Sequence, residues 1–296
     1  MRIPNPASGR GPPCPARRAA CVASRWCAAW RYWRIRRAAS EKSARLGVLS
    51  GRSDAVRLYA VAALPRLNGA IRALEQGDPA FVTFSPAEVG NAQAIGDAAY
   101  DAVVFEMEHN PYDIRALRDC LQYLLNRRQI VDSGSLAPAV APFVRIPPNG
   151  GELNQWVAKQ VLDSGVYGVV WPHVSTVEDA RNAVAACRYP RPRTAANFEP
   201  AGQRGDAPAA AARYWGLSQQ DYYAHADVWP LASDGELLVV IMCEEARAIG
   251  NLRQILREVP GIGVVLIGEG DLSQDLGYPR QYEHPTVSAA INEILS

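Results

Sequence analysis

From residue 66 onward, short apolar runs alternate with longer stretches in which apolar residues recur at helical spacing. The apolar runs are apolar on both faces, and they predict six strands, at residues 80–84, 101–109, 141–148, 168–174, 237–245 and 263–271. Strands of this kind are typical of a parallel sheet that is covered by helices on its faces.

The stretches between these runs predict helices at residues 67–76, 88–99, 113–131, 153–163, 176–187, 246–259 and 286–296. The helix at 113–131 is strongly amphipathic, and Thr176 is in the position of a helix cap. Strands and helices in alternation permit either an open, doubly wound sheet or most of an eight-stranded TIM-type β/α barrel. No glycine-rich dinucleotide motif follows the first strand, which favours the barrel, although the periodicity alone leaves both open.

The charge pattern divides the chain into two parts. The whole chain of 296 residues has a net charge of +1, but residues 1–66 carry thirteen Arg and one Lys against Glu41 and Asp54. That segment therefore has a net charge of +12, and the rest, with 17 basic and 28 acidic residues, has −11. We interpret residues 1–65 as a basic, disordered extension and residues 66–296 as the folded domain. An organelle-targeting segment and a nucleic-acid-binding arm are the alternatives for the extension.

Several features exclude classes of function. No run approaches the ~18 consecutive apolar residues that cross a bilayer, so we predict a cytoplasmic protein with neither a membrane nor a nucleic-acid partner. The six cysteines form no Cys-x-x-Cys pair, which disfavours a zinc site, and Cys120, Cys187 and Cys243 are predicted to be buried and reduced. The Pro-, Gly- and Ala-rich stretch 189–235 interrupts the pattern, and its length indicates a lid or an oligomer contact.

Charged residues recur where the predicted strands end. The carboxyl ends of parallel strands share one edge, where the loops of β/α enzymes build the active site. Two carboxylates at neighbouring strand ends, Glu244 and Asp271, suit a hard divalent cation such as Mg²⁺ or Mn²⁺. Alternation along the strand places Glu244, rather than Glu245, on the same face as Met242. The polar residues at these ends are Glu106, Glu108, His109, Arg145, Glu244, Glu245 and Asp271.

Each of these residues also has a purely structural interpretation. His109 is equally consistent with a surface histidine, and Arg145 with a partner for a helix carboxylate. Asp163 precedes Ser164-Gly165 and by itself indicates the turn after a helix. The set of strand-end groups is therefore more informative than any member.

The segments FEMEHNPYD, VRIPPNG, QVLDSGVYGVVWPHV, VVIMCEE and LIGEGDLSQDLGYP occur in an order and spacing that resemble the HpcH/HpaI aldolase family. The resemblance covers roughly residues 66–296. It implies a β/α barrel, a homo-oligomer, usually a hexamer, and a divalent metal: Mg²⁺, Mn²⁺ or Co²⁺. The implied reaction cleaves a 2-oxo-4-hydroxy acid into pyruvate and an aldehyde, or joins these two in the reverse direction. It passes through an enolate that the metal stabilises. Relatives of this kind take part in the catabolism of aromatic compounds.

The resemblance also assigns roles to individual residues. Glu244 and Asp271 match the metal ligands, and Arg145 matches the arginine that stabilises the developing negative charge. His109 matches the base, and Asp163 matches the aspartate that raises its basicity. Gly270 matches a position whose amide helps to hold the pyruvate carboxylate.

The chain departs from the family pattern in three places. Met242 stands where a substrate-binding Gln is common, Glu269-Gly270 replaces Pro-Ala, and the barrel is expected to lack its last two β/α units. A lyase acting on a citramalyl- or malyl-CoA thioester, and a non-catalytic, truncated relative, are therefore the alternatives to the aldolase.

Overall fold

A computed structural model of the protein describes residues 64–147 and 155–296. The interpretation of residues 1–65 as an extension therefore concerns a segment that lies almost wholly outside the described residues, and so does the predicted start of a helix at residue 153. In the described residues, no helix is both long enough and apolar enough to span a membrane.

The core of the fold is a single parallel sheet of seven strands. Five strands lie side by side in the order β1-β2-β3-β4-β6, and the free edge of β6 pairs with β5 near its start and with β7 further along. The strands are β1 (Val82–Pro86), β2 (Ala102–Glu106), β3 (Ala141–Arg145), β4 (Gly168–Trp171), β5 (Val228–Trp229), β6 (Leu237–Cys243) and β7 (Val264–Ile267).

Helices alternate with these strands, and most begin and end where local capping chemistry allows. The helices are α1 (Gly69–Gln76), α2 (Val89–Gly96), α3 (Ile114–Leu124), α4 (Arg127–Ser133), α5 (Gln155–Ser164), α6 (Val177–Cys187), α7 (Ala209–Trp215), α8 (Gln219–His225), α9 (Ala246–Glu258), α10 (Glu269–Asp275) and α11 (Pro285–Leu295). The predicted cap Thr176 forms a reciprocal capping box with Asp179 at the start of α6.

The predicted α/β class with a parallel sheet is confirmed. The six predicted strands all form, and β5 is a seventh that the sequence analysis did not predict. In the part of the chain that the structure describes, β1 pairs only with β2 and β7 pairs only with β6. Strand neighbours thus follow the sequential order of a β/α barrel, and no ladder between β1 and β7 closes the sheet.

The single helix predicted at residues 113–131 is wrong, because two helices form there. Helix α3 ends at Leu124, and Leu125 has an extended backbone. Asn126 then caps α4 by accepting a hydrogen bond from the amide of Gln129. An internal asparagine of this kind starts a new helix, since its side chain satisfies an amide that a continuing helix would bond to a carbonyl.

The start of the described domain is fixed to the amino ends of the central strands by the buried side chains of Asn68 and Glu236. Asn68 caps α1 and donates hydrogen bonds to the carbonyls of Tyr167 and Glu236. The Glu236 carboxylate accepts hydrogen bonds from the amides of Leu67 and Asn68 and pairs with Arg66. These bonds hold α1 beneath β4 and β6, away from the carboxyl ends of the strands.

The stretch 189–235 is an ordered part of the fold rather than a lid over the carboxyl edge. It contains α7, α8 and β5, and it packs at the amino ends of the strands, where Trp215 donates to the carbonyl of Gly165 and stacks on Tyr167 with ring centroids 4.4 Å apart. The fully buried Arg188 pairs with Asp227 and donates to three carbonyls within the stretch. Of the two alternatives predicted for this stretch, a lid over the carboxyl edge does not form, because these polar anchors hold it at the amino ends, and the oligomer contact stays a prediction.

Candidate metal centre and active site

The carboxyl ends of five adjacent strands bring the candidate residues to one edge of the sheet. Glu106 ends β2 directly opposite Arg145 at the end of β3, and these two residues are partners in the strand register. His173 follows β4, Glu244 follows β6, and Asp271 follows β7. Because all the strands are parallel, the side chains that leave these ends can converge on one site.

Three of these side chains approach closely enough to bind one ion. Each of His173, Glu244 and Asp271 offers one ligand atom, and these three atoms all lie within 4.8 Å of one another. Among the predicted metal ligands, Glu244 and Asp271 are therefore together as expected, and His173 joins them. A set of two carboxylates and one imidazole suits a divalent cation.

The environment of Glu244 suits a metal ligand. Glu244 is buried, and its Oε1 accepts a hydrogen bond from the backbone amide of His173 at 2.6 Å, while Oε2 has no hydrogen-bond partner in the described residues. A buried carboxylate oxygen without a partner is costly unless a cation or donor compensates it. Burial raises the pKa of Glu244 to about 7, against which the hydrogen bond and charge of His173 act only in part. Gly268 allows this arrangement, since a Cβ there would collide with the Glu244 carboxylate.

Arg145 is held by two carboxylates, Glu106 and Glu108, at the end of the adjacent strand β2. Its Nε donates to Glu106 Oε2 at 2.6 Å, and its Nη1 lies 3.0 Å from Glu108 Oε2, an ion-pair distance without hydrogen-bond geometry. Burial raises the pKa of Glu108, although the positive charge of Arg145 opposes this. The guanidinium also lies over the ring of Phe84 and 3.8 Å from the sulfur of Met242. Arg145 is thus a fixed positive charge beside the candidate metal ligands.

His109 and Asp163, the predicted base and its partner, are not brought together within this chain. The side chain of His109 is 64% exposed, and its Nε2 lies 3.5 Å from Glu108 Oε2. Asp163 lies near the end of α5, just before β4 begins, and pairs instead with the buried Arg204 at 2.9 Å. Helix α5 runs back from the carboxyl ends of the strands to their amino ends and places Asp163 away from the mouth within this chain, so the role predicted for Asp163 stays a prediction.

Asp271 and Gly270 are in a different element from the one predicted. Strand β7 ends at Ile267, and both residues lie in the first turn of the short helix α10, which begins at Glu269. The prediction that the strand extends to residue 271 is wrong in this respect. The turn at Gly268 nevertheless directs Asp271 toward the end of β6, where Glu244 lies.

His173 was not predicted from the sequence as a site residue, and its contact with Glu245 was not predicted either. His173 Nδ1 lies 3.0 Å from Glu245 Oε1, and the other oxygen of Glu245 accepts a hydrogen bond from the hydroxyl of Ser175. The available signal was position, since His173 follows a buried strand as Glu244 does.

The predicted burial of Cys120, Cys187 and Cys243 as free cysteines is confirmed.

The raised pKa of Glu244 gives a prediction for the metal-free protein. A carboxyl group whose pKa is about 7 when folded and near its ordinary 4.5 when unfolded ionises more easily in the unfolded chain. Its contribution to stability is therefore present at low pH and is lost as the pH rises from about 4.5 to 7. In EDTA, we expect the free energy of unfolding of Glu244→Gln to fall less than that of the wild type between pH 5 and pH 8, by about 1–3 kcal/mol. Urea unfolding at both pH values measures this.

The matched control for this experiment is Glu283→Gln, because Glu283 is an exposed glutamate with no hydrogen bond from its side chain in the described residues. It should show the same pH dependence as the wild type. An identical pH dependence for Glu244→Gln would contradict the burial of an ionisable, unpaired carboxyl group at this position.

A parallel β/α sheet whose carboxyl edge gathers acidic side chains around a fixed arginine defines a β/α enzyme site. The chain belongs to the HpcH/HpaI aldolase/citrate lyase family, whose model matches residues 81–296. The predicted family is confirmed, and so is the predicted enzyme class, the carbon–carbon lyases, since curated relatives are named as aldolases.

Three relatives illustrate the range of named substrates. A hydroxypyruvate/pyruvate aldolase of Roseobacter denitrificans is 34% identical over 226 residues, which are 76% of this chain and 76% of that protein. A 2-keto-3-deoxy-L-rhamnonate aldolase of Klebsiella pneumoniae is 36% identical over 68% of this chain and 64% of its own length. A 4-hydroxy-2-oxo-heptane-1,7-dioate aldolase of Salmonella typhimurium is 33% identical, with coverages of 69% and 66%. The chain thus spans roughly two thirds to three quarters of these relatives.

Solved structures agree with the fold. An HpcH/HpaI aldolase/citrate lyase family protein from Burkholderia cenocepacia superposes with a TM-score of 0.61 and 27% identity, over 77% of this chain and 79% of that one. An HpcH/HpaI aldolase from Desulfitobacterium hafniense superposes with a TM-score of 0.57 at 22% identity, over 79% and 76%, and supports the fold alone.

Proposed function

We propose that this chain is a divalent-metal-dependent aldolase that cleaves a 2-oxo-4-hydroxy acid into pyruvate and an aldehyde, or forms it from them. The observation that carries the proposal is the proximity of Glu244, Asp271 and His173, whose ligand atoms all lie within 4.8 Å of one another. In addition, Oε2 of the buried Glu244 has no hydrogen-bond partner in the described residues. Family membership supports the reaction type, and the names of the relatives support a 2-oxo acid as substrate.

Glu244 and Asp271 would hold the ion. When bound, the cation supplies Lewis-acid chemistry, because it withdraws electrons from a keto acid. Besides Arg145, this edge carries five carboxylates, those of Glu106, Glu108, Glu244, Glu245 and Asp271. This excess of negative charge favours the binding of a cation.

Arg145 is proposed to stabilise the negative charge that develops on the oxygen of the keto acid as the carbon–carbon bond breaks. Its guanidinium is held on two sides by Glu106 and Glu108, so little reorganisation is needed when that charge appears. Met242 lies against the guanidinium and would give the keto acid an apolar contact rather than a hydrogen bond. Gly270 is proposed to hold the substrate carboxylate through its amide.

His109 is proposed as the base that takes the proton of the 4-hydroxyl group. Its exposure at the mouth leaves it accessible to substrate, and histidine is the side chain that most often transfers protons in enzymes. Asp163 can assist it only from another copy of the chain, because in its own chain it lies at the opposite end of α5 from the mouth. The homo-hexameric assembly and the cytoplasmic location both stay predictions.

Pyruvate release tests the proposal directly. The full-length protein is treated with EDTA, passed through a desalting column and supplied with 4-hydroxy-2-oxovalerate, and pyruvate is detected by its reduction to lactate. We expect release to be lost after EDTA treatment and restored by Mg²⁺ or Mn²⁺. Release that EDTA does not affect, or no release with any divalent ion, would contradict the proposal. Cleavage of citramalyl- or malyl-CoA alone would replace it with the thioester lyase.

A further inference from the structure

We propose that His173 is a third protein ligand of the metal, so that this site has a nitrogen donor as well as two carboxylates and prefers Mn²⁺ or a later transition metal to Mg²⁺. This inference rests on the metal site of the proposed function, in which Glu244 and Asp271 hold the ion, and assigns the neighbouring His173 the role of a third ligand. An imidazole suits transition metals, whereas Mg²⁺ binds through oxygen ligands and water.

The position of His173 supports its role as a ligand. Strand β4, which His173 follows, pairs with β6, which Glu244 follows, so the two residues leave neighbouring strand ends. A ligand atom of the His173 ring lies within 4.8 Å of one on Glu244 and one on Asp271. Two carboxylates and an imidazole from three neighbouring strands would surround an ion from three directions.

The backbone of His173 also contacts Glu244 and adopts a rare conformation. Its amide donates to Glu244 Oε1 at 2.6 Å, and its φ of 55° lies in the left-handed region that non-glycine residues rarely adopt. Strained backbone of this kind persists where surrounding contacts hold it, and it is concentrated at functional sites. Here it turns both the amide and the ring of one residue toward the same carboxylate.

The carboxylate of Glu245 holds the His173 ring, as carboxylates commonly do for metal-binding histidines. Its Oε1 lies 3.0 Å from His173 Nδ1, and its second oxygen is fixed by Ser175. Glu245 is therefore a positioning residue, and its own oxygens are occupied by these contacts. Oε2 of the buried Glu244, by contrast, has no hydrogen-bond partner in the described residues.

Metal titration by calorimetry tests the inference on the full-length, EDTA-stripped protein, with MnCl₂ and MgCl₂ as the probes. His173→Asn removes the imidazole and keeps a residue that tolerates positive φ. We expect it to weaken Mn²⁺ binding by roughly 10²-fold and Mg²⁺ binding by much less. Glu245→Gln, which keeps the imidazole, should weaken Mn²⁺ binding by about 10-fold. His225→Gln, on α8 and outside the cluster, is the control and should bind both ions as the wild type does.

Electron spin-echo spectroscopy of the Mn²⁺-loaded wild type gives an independent measurement that needs no variant to fold. The chain has four histidines, His109, His173, His225 and His284, and ¹⁵N-histidine labelling should shift a nitrogen coupling to the ion. The coupling should persist in His225→Gln and disappear in His173→Asn. A wild-type spectrum without histidine coupling would overturn the inference, and so would equal Mn²⁺ affinity in wild type and His173→Asn. If Glu244→Gln alone abolishes Mn²⁺ binding, the proposed function stands and only the role of His173 fails.

Discussion

Replacing Glu244 with Gln, or Asp271 with Asn, is expected to abolish metal-stimulated pyruvate release. Both substitutions keep the size of the side chain and remove the negative charge that a divalent cation requires. Since a bound Lewis acid contributes several kcal/mol of charge stabilisation, the fall in kcat/KM should be on the order of 10³-fold or more. Pyruvate release in saturating Mg²⁺ and Mn²⁺, with ion affinity measured on the same preparations, checks the result.

The control for this pair is Glu269→Gln. Glu269 is exposed and precedes Asp271 by two residues in the same helical turn, so its loss removes one negative charge from the same region. It is not among the three residues whose ligand atoms converge. It should retain metal-dependent release within about 10-fold of the wild type, as expected for a surface charge. Full metal-dependent turnover in either Glu244→Gln or Asp271→Asn would show that the ion is held elsewhere.

The second large effect is expected for Arg145→Ala, which should lower kcat by about 10²–10³-fold, the range found when a group that stabilises a developing oxyanion is removed. Steady-state kinetics with excess metal should place the loss in kcat more than in KM, because the arginine acts on charge that appears during bond cleavage. The substitution also removes the positive charge of the guanidinium that pairs with Glu106 and Glu108, so some loss of thermal stability should accompany it.

Two further variants separate charge from geometry. Arg145→Lys keeps the positive charge but cannot reproduce the contacts of Nε and Nη1 with two carboxylates, so it should recover only part of the rate. Arg128→Ala removes an exposed arginine that pairs with Asp132 on α4 and should leave the rate unchanged. If Arg145→Ala stays folded and cleaves substrate at the wild-type rate, Arg145 has only a structural role.

The sequence predicted the elements whose limits depend on nearby residues. The Asn68 cap begins α1, the left-handed Gly77 ends it, and Thr176 with Asp179 begins α6. Each of these capping contacts joins residues within one helical turn of each other. The alternation that placed Met242 and Glu244 on one face of a strand also holds, because side chains on a strand alternate whatever surrounds them. For the same reason, the parallel sheet and the carboxyl edge that carries the candidate residues were predicted from apolar patterning.

Two predictions about strands failed because the contacts that decide them lie outside the strand itself. Strand β5 has two residues and exists because they pair with the start of β6. The turn at Gly268 ends β7 early and places Asp271 on a helix, an outcome that depends on how closely this turn passes Glu244. In both places the course of the chain is set by contact with β6 or with Glu244, which follows it.

By itself, the sequence determined the class of fold, the edge of the sheet where polar side chains collect, and the pair Glu244 and Asp271 that meets there. Only the tertiary structure decided which other groups join them. It brought His173 to that pair and placed Asp163 beside Arg204, although α5 and β4 are consecutive elements of the chain. The physical reason is that strand β4 runs toward the carboxyl edge, so the residues that follow it lie there. The preceding helix α5 runs in the opposite direction, so its last residues lie at the amino edge.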